Sequence, residues 1–181
     1  NNGILYVKEL EKNNIHRQYL KILEERGEVI RVIKGLYVAP DKDINEFFIM
    51  GERYKTGIFS HNTALYFYHL TDRTPMSLDM TFPSNVRVNN DFLEPHYIKP
   101  ELHSLGETTL KLEDGTNIKI YDLERTICDI IRDRNKIDPQ IFNTAMKEYF
   151  KSNKRNLNLL YKYAKKLKID KILKKYMEVL D

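Results

Sequence analysis

Tryptophan is absent from the 181-residue chain, and cysteine occurs once, as Cys128. A lone cysteine excludes an intramolecular disulfide and a Cys-rich zinc site, and it fits a reducing compartment. No stretch approaches the roughly 18 apolar residues of a membrane span, and the N-terminus lacks the charged start and apolar run of a signal peptide. A cytoplasmic protein with no membrane partner is therefore expected. The seven glycines include no GxGxxG or GxxxxGK arrangement, which argues against a phosphate-binding loop, and no cofactor is expected. An initiator methionine is also missing, so Asn1-Asn2-Gly3 reads as a turn following residues upstream of the sequence.

What is present is enough for a folded core. Hydrophobic residues make up 41%, with 12 Tyr and 8 Phe, too apolar a balance for a disordered chain. The net charge of +4 is mild but unevenly spread. Asn1 to Pro40 carries seven basic and five acidic residues (+2), and Met146 to Asp181 eleven basic and four acidic (+7). The stretch between them is left at −5. Basic ends around an acidic middle point to polyanion contact at one or both ends.

The first segment reads as helix, turn, helix, hairpin. Val7 to Lys12 is a short polar helix broken by Asn13-Asn14. Ile15 to Arg26 places Ile15, Tyr19, Ile22 and Leu23 at helical spacing, with Gly27 as the stop. Val29 to Ile33 and Leu36 to Pro40 flank Lys34-Gly35, where glycine supplies the positive φ of a tight turn. This is the order of a winged helix-turn-helix with its first helix missing. Asp41 to Ile44 is the expected linker, giving domains of residues 1–43 and 44–181.

Beyond the linker, a helix is expected over Glu46 to Tyr54, and Ser60 is placed to cap another that ends near Leu70. Leu78 to Phe82 reads as a strand. Leu110 and Leu112, then Ile118 and Ile120, alternate with polar residues around Asp114-Gly115, the pattern of a type I′ hairpin. Asp122 precedes a helix with Leu123, Ile127, Ile130 and Ile131 on one face, and Asp138-Pro139 opens another that runs to about Phe150. Two further amphipathic stretches follow, carrying Leu157, Leu160, Tyr161, Ala164 and Leu167, then Ile172, Leu173, Tyr176, Met177 and Leu180. The fold class is α+β: a winged helix-turn-helix followed by an α+β domain ending in a helical bundle.

The chemistry-bearing residues fall into a few groups. His16, Arg17, Gln18 and Lys21 stand near the start of the second helix, where a recognition helix meets base edges, and Arg31 and Lys34 on the ribbon are placed for phosphates. An ordinary solvated helix face explains the first four equally well. Lys162, Lys165, Lys166, Lys168, Lys171, Lys174 and Lys175 form a possible second basic surface, with few acidic partners at helical spacing. His16, His61, His69, His96 and His103 show no HxxxH or HExxH spacing, so no metal site is expected. Ser60 and His61 are neighbours that should not face each other on a helix, which makes a capping serine the better reading. Glu113, Asp114 and Asp122 are the nearest approach to a carboxylate cluster, but the turn and the cap occupy two of them. A metal-dependent nuclease is thus the minor alternative, and no catalytic residue is expected. Cys128 is expected in the core.

Three stretches resemble a known family: RVIKGLYVAP (Arg31 to Pro40); GIFSHNTALYFYHLTDRTP (Gly57 to Pro75) with MTFP (Met80 to Pro83); and YDLERTICDIIRDR (Tyr121 to Arg134). They are similar to the AbiEi antitoxins, the transcriptional-regulator half of bacterial type IV AbiE abortive-infection toxin-antitoxin systems, which act in phage defence. The resemblance implies a winged domain that binds inverted repeats of double-stranded DNA in its own promoter and represses the operon. It also implies a second domain that counteracts a nucleotidyltransferase-like toxin, with or without direct contact. Carried over by position, Arg17, Gln18, Lys21, Arg31 and Lys34 become DNA contacts. On this reading the chain is a repressor and antitoxin and not an enzyme. A non-DNA-binding interaction module that neutralises an acidic partner is the other alternative.

Overall fold

The computed structural model describes residues 3–180, which form an α+β fold with two sheets. The chain divides into two compact units. One holds the residues up to Arg53 together with Leu112–Thr116, and the other holds the rest. The first unit therefore runs past the expected boundary at Asp43, and a short distant segment belongs to it. Asn1 and Asn2, where the turn after a missing helix was expected, lie outside the described residues.

In the first unit, β1 (Ile4–Tyr6) leads directly into α1 (Val7–Lys12), followed by α2 (Gln18–Glu25), β2 (Ile30–Ile33), β3 (Leu36–Val38) and α3 (Glu46–Arg53). The strands make an antiparallel sheet in the order β1-β3-β2. Ile33 pairs with Leu36 across Lys34-Gly35, where Gly35 takes φ +88° as its turn requires. Leu10, Leu20 and Tyr37 form a small core against Leu5, Val7 and Val29. The second helix begins three residues later than its periodicity predicts. Asn14, at φ +55°, closes α1 in a left-handed cap, and the Ile15 N–H donates to Leu10 O at 2.9 Å, so Ile15 is spent on ending one helix rather than starting the next. The buried stripe shifts accordingly: Leu20 is 4% exposed, whereas Tyr19, expected to hold the helix to the domain, is 59% exposed. Phe47 and Phe48 are buried on α3, and the Asn45 N–H just before it donates to Asp114 Oδ2 at 3.1 Å within the same unit.

The second unit contains β4 (Ile58–Phe59), α4 (His61–Phe67), β5 (Leu78–Pro83), β6 (Leu93–Ile98), α5 (Pro100–His103), β7 (Glu107–Lys111), β8 (Asn117–Tyr121), α6 (Leu123–Arg132), α7 (Pro139–Lys151), α8 (Leu157–Lys166) and α9 (Asp170–Leu180). Its sheet runs β6-β5-β4-β8-β7. β5 and β6 are parallel, with Thr81 opposite His96, while β4 is antiparallel to β5 and parallel to β8. The β7–β8 hairpin is present, but its turn is not type I′. Lys111 pairs with Asn117 around a five-residue loop in which the Gly115 N–H donates to Leu112 O at 3.0 Å. Type I′ needs positive φ at both central residues. Gly115 has it (+83°) and Asp114 does not, so the loop closes as an ordinary turn ending in a left-handed glycine.

Helices α6 to α9 share one core with α4, in which Leu65, Ile127, Ile130, Ala145, Tyr149, Leu160, Ala164 and Leu173 are fully buried. The Asp122 side chain accepts the Arg125 N–H, and Asp138 accepts those of Gln140 and Ile141, so both expected caps form. Cys128 is buried, and burial pushes its thiol up, out of reach of a nucleophilic role. Leu180 was expected to add to the last apolar face, but its side chain lies outside what is described. Among the described residues no helix is long and apolar enough to cross a membrane.

Candidate metal centre

The second unit gathers polar side chains where β4, β5 and β6 meet the C-terminal end of α6. Ser60 follows β4 and His61 starts α4. Asp79 and Thr81 lie on β5, His96 on β6, and Asp133 is the residue after α6. Ser60, His61 and Thr81 have no exposed surface, and Asp79 is 3% exposed.

Hydrogen bonds link these groups in a chain. The Thr81 hydroxyl donates to Ser60 Oγ (2.8 Å), and Ser60 Oγ lies 3.0 Å from His61 Nδ1. On the far side of the ring, His61 Nε2 lies 3.1 Å from Asp133 Oδ2. Ser60 Oγ serves either tautomer of the neutral His61: with the proton on Nε2 the ring donates to Asp133, and with the proton on Nδ1 it donates to Ser60 Oγ and turns the Nε2 lone pair toward a metal ion. Burial lowers the His61 pKa, and that outweighs the stabilising bond to Asp133. Burial alone would raise the Asp133 carboxyl, but the His61 hydrogen bond and the Arg132 guanidinium hold it well below the usual carboxylate range. A neutral imidazole beside an ionised carboxylate is the protonation state that a metal ion takes.

His96 completes the group. Its ring stacks on His61 with centroids 3.5 Å apart and planes inclined by 15°, and Asp79 Oδ1 holds its Nε2 at 2.7 Å. A carboxylate behind a histidine orients metal-binding imidazoles, and here it leaves Nδ1 for another partner. One ligand atom each from His61, His96 and Asp133 lies within 4.8 Å of the others. Nitrogen lone pairs lie in the ring plane, so for both rings to meet one ion the half-buried His96 has to tilt out of the stack.

His61 is also held in an unusual backbone conformation. Four non-glycine residues among those described have positive φ. Asn14, His69 and Lys168 each follow a helix, where a left-handed residue closes it, but His61, at φ +44°, begins one. A non-glycine residue there costs about 1–2 kcal/mol, and such strain collects at functional sites. The same twist turns the ring back onto Ser60, so these neighbours do meet, against the expectation from helix geometry. Ser60 makes no side-chain cap either: its Oγ is committed to Thr81 and His61. With no exposed surface, it is not a nucleophile for any substrate.

No protein-family model matches the chain, and no curated protein matches it. The site is therefore interpreted from its own geometry, and that geometry corrects one expectation. The view that the chain is not an enzyme rested on histidine spacing and on the lack of converging carboxylates, yet the fold brings together His61, His96 and Asp133, a potential metal-binding catalytic site. Spacing rules see ligands on one helix or loop, whereas these come from three separate elements.

The other candidate residues are placed as follows. Asp114 is taken by Thr116 and Asn45 and Asp122 by the Arg125 N–H, and neither joins the cluster. In the first unit His16, Arg17, Gln18, Lys21, Arg31 and Lys34 are all exposed. Arg17 is engaged by Glu11 and Lys21 lies 3.8 Å from Glu25, while Arg31 and Lys34 have no carboxylate partner among the described residues. Lys162, Lys165, Lys166, Lys168, Lys171, Lys174 and Lys175 are exposed too. Lys166 and Lys168 line one cavity and Lys175 another, and Lys165 lies over the Tyr161 ring. His16, His69 and His103 stay outside the cluster, with His103 Nε2 donating to Thr81 O at 3.1 Å.

The DLERT stretch has a structural explanation. Glu124 accepts from the Tyr149 hydroxyl and the Asn156 N–H, and the Thr126 hydroxyl donates to Asp122 O. Arg125 is fully buried, paired with Asp129 at 3.0 Å and stacked over Tyr121 at 4.0 Å.

Proposed function

We propose that the second unit is a metal-dependent hydrolase of phosphodiesters, a nuclease in class, with His61, His96 and Asp133 holding one divalent ion. The observation that carries this reading is the convergence of those three side chains around a buried, neutral histidine. Two imidazoles and a carboxylate suit zinc or manganese better than magnesium, and three protein ligands leave a position open. An ion there supplies a water acidic enough to attack a phosphodiester near neutral pH. Asp79 orients His96, and Ser60 Oγ would accept the His61 Nδ1 proton so that Nε2 is left for the ion.

The test is strand cleavage with zinc, manganese or magnesium, each against EDTA. Metal-dependent cleavage is expected, with a loss of about 100-fold or more in His96→Ala and Asp133→Asn, the order seen when metal-site partners are removed. Absence of both cleavage and calorimetric metal binding overturns the reading.

A specific observation also favours a second reading: the first unit exposes His16, Arg17, Gln18 and Lys21 around the start of α2, and Arg31 and Lys34 on an antiparallel ribbon. Under it this unit is a winged helix-turn-helix that binds duplex DNA in the cytoplasm. The resemblance to AbiEi antitoxins extends the reading to repression of a toxin-antitoxin operon and to neutralising a nucleotidyltransferase-like toxin. Replacing both Arg31 and Lys34 with alanine should reduce the salt slope of DNA binding by about two units, one for each phosphate contact. An unchanged slope in a gel-shift series argues against the ribbon as a DNA contact.

A further inference from the structure

A cavity of about 540 Å³ opens between the start of α5 and the C-terminal ends of α6 and α8. Lys99, Arg132, Lys166 and Lys168 line it, with Glu101 the lone carboxylate in the lining. The cations come from three separate elements, so no helical repeat explains their meeting. Like charges gathered on a concave wall repel, and they focus a positive potential that an anion relieves. Lys99, Lys166 and Lys168 have no carboxylate partner among the described residues.

Arg132 is held more firmly. Its Nη1 lies 3.1 Å from Asp129 Oδ1, and its Nη2 donates to Asp133 Oδ2 at 3.2 Å. One of its five N–H groups is thereby committed to Asp133 and the guanidinium is held between two carboxylates, leaving donors for a tetrahedral oxyanion. Asp133 Oδ2 is the same atom that lies 3.1 Å from His61 Nε2. One carboxylate thus joins the cavity to the histidine cluster.

We propose that this cavity binds a phosphate group, and that it is the subsite for a phosphate of the phosphodiester cleaved next to it. Its role as a subsite rests on the hydrolase reading, but the anion binding does not. Lys168 provides a discriminating variant. It sits at φ +58° just past α8, where glycine is the favoured residue, so Lys168→Gly removes a cation while easing the backbone.

The experiment follows amide NMR shifts of the full chain in EDTA, titrated with inorganic phosphate and, at matched ionic strength, with chloride. A second arm compares a thymidine dinucleotide with and without a 5′-phosphate, which separates free phosphate from a nucleic-acid end. Saturable shifts at the cavity residues with phosphate are expected, together with tighter binding of the phosphorylated dinucleotide. Lys168→Gly and Lys166→Ala should each weaken binding about fivefold with the thermal midpoint undiminished. Shifts that follow ionic strength alone, or affinity unchanged in both variants, overturn the proposal. Phosphate binding without metal-dependent cleavage leaves the cavity standing and removes the hydrolase, whereas cleavage without phosphate binding does the reverse.

Discussion

Arg125→Ala should destabilise the second unit by about 3–5 kcal/mol, the range for breaking a buried ion pair from one side. Arg125 and Asp129 both have 0% side-chain exposure. The guanidinium also donates to Leu102 O (3.0 Å) and Leu105 O (2.5 Å), so its loss leaves two backbone acceptors as well as a carboxylate without that donor. The variant also gives up the stack over Tyr121. Urea unfolding followed by circular dichroism measures the effect, and a loss below about 1 kcal/mol would contradict the role assigned to this residue. Arg125→Met with Asp129→Leu should recover only part of the loss, because it removes the unpaired carboxylate but leaves Leu102 O and Leu105 O without that donor and Arg132 without Asp129.

Gly106→Ala should cost about 2–4 kcal/mol, combining a left-handed backbone with an overpacked contact. Gly106 has φ +78°, and a Cβ built there would lie 2.5 Å from Arg125 Cβ and 3.3 Å from Asp122 Oδ1. The first neighbour is a backbone-anchored carbon that cannot swing away, and the Gly106 carbonyl accepts the Asp122 N–H at 2.7 Å. Gly115→Ala is the control. It has a similar φ of +83° but nothing within 4 Å, so it carries only the backbone penalty of about 1–2 kcal/mol. The same unfolding measurement decides, and equal losses in the two variants would mean that the contact with Arg125 is not tight.

Much of the architecture was legible because it is written in local patterns. Asp122 and Asp138 announce α6 and α7 through capping chemistry, and Ile118 and Ile120 alternate into the core of β8 as their spacing implies. Of the strands that frame the site, β5 was legible at Leu78 to Phe82, but β4 and β6 were not. β4 has two residues, too few for any period, and β6 contains Pro95, a residue that weakens a strand reading. α6 misleads differently: its pattern assigns Glu124, Arg125 and Asp129 to solvent, yet all three are buried, with polar partners up to 32 residues away. The candidate metal centre fails to appear for the same reason. His61, His96 and Asp133 are neighbours only once a parallel pairing of β5 and β6 and the end of α6 are in place, and neither is encoded in short spacing. Nothing in the SHNTAL run marks the left-handed backbone at His61.

The loop from Leu112 to Thr116 has a consequence for dissection. It is carried on the β7–β8 hairpin, yet it packs as part of the first unit, so the polypeptide visits that unit twice. No single cut yields either piece whole. A fragment that stops at Arg53 forfeits the acceptor for the Asn45 amide, and one that begins at Tyr54 carries a stranded apolar tip, Leu112. Exchanging or deleting one half is therefore a change to both.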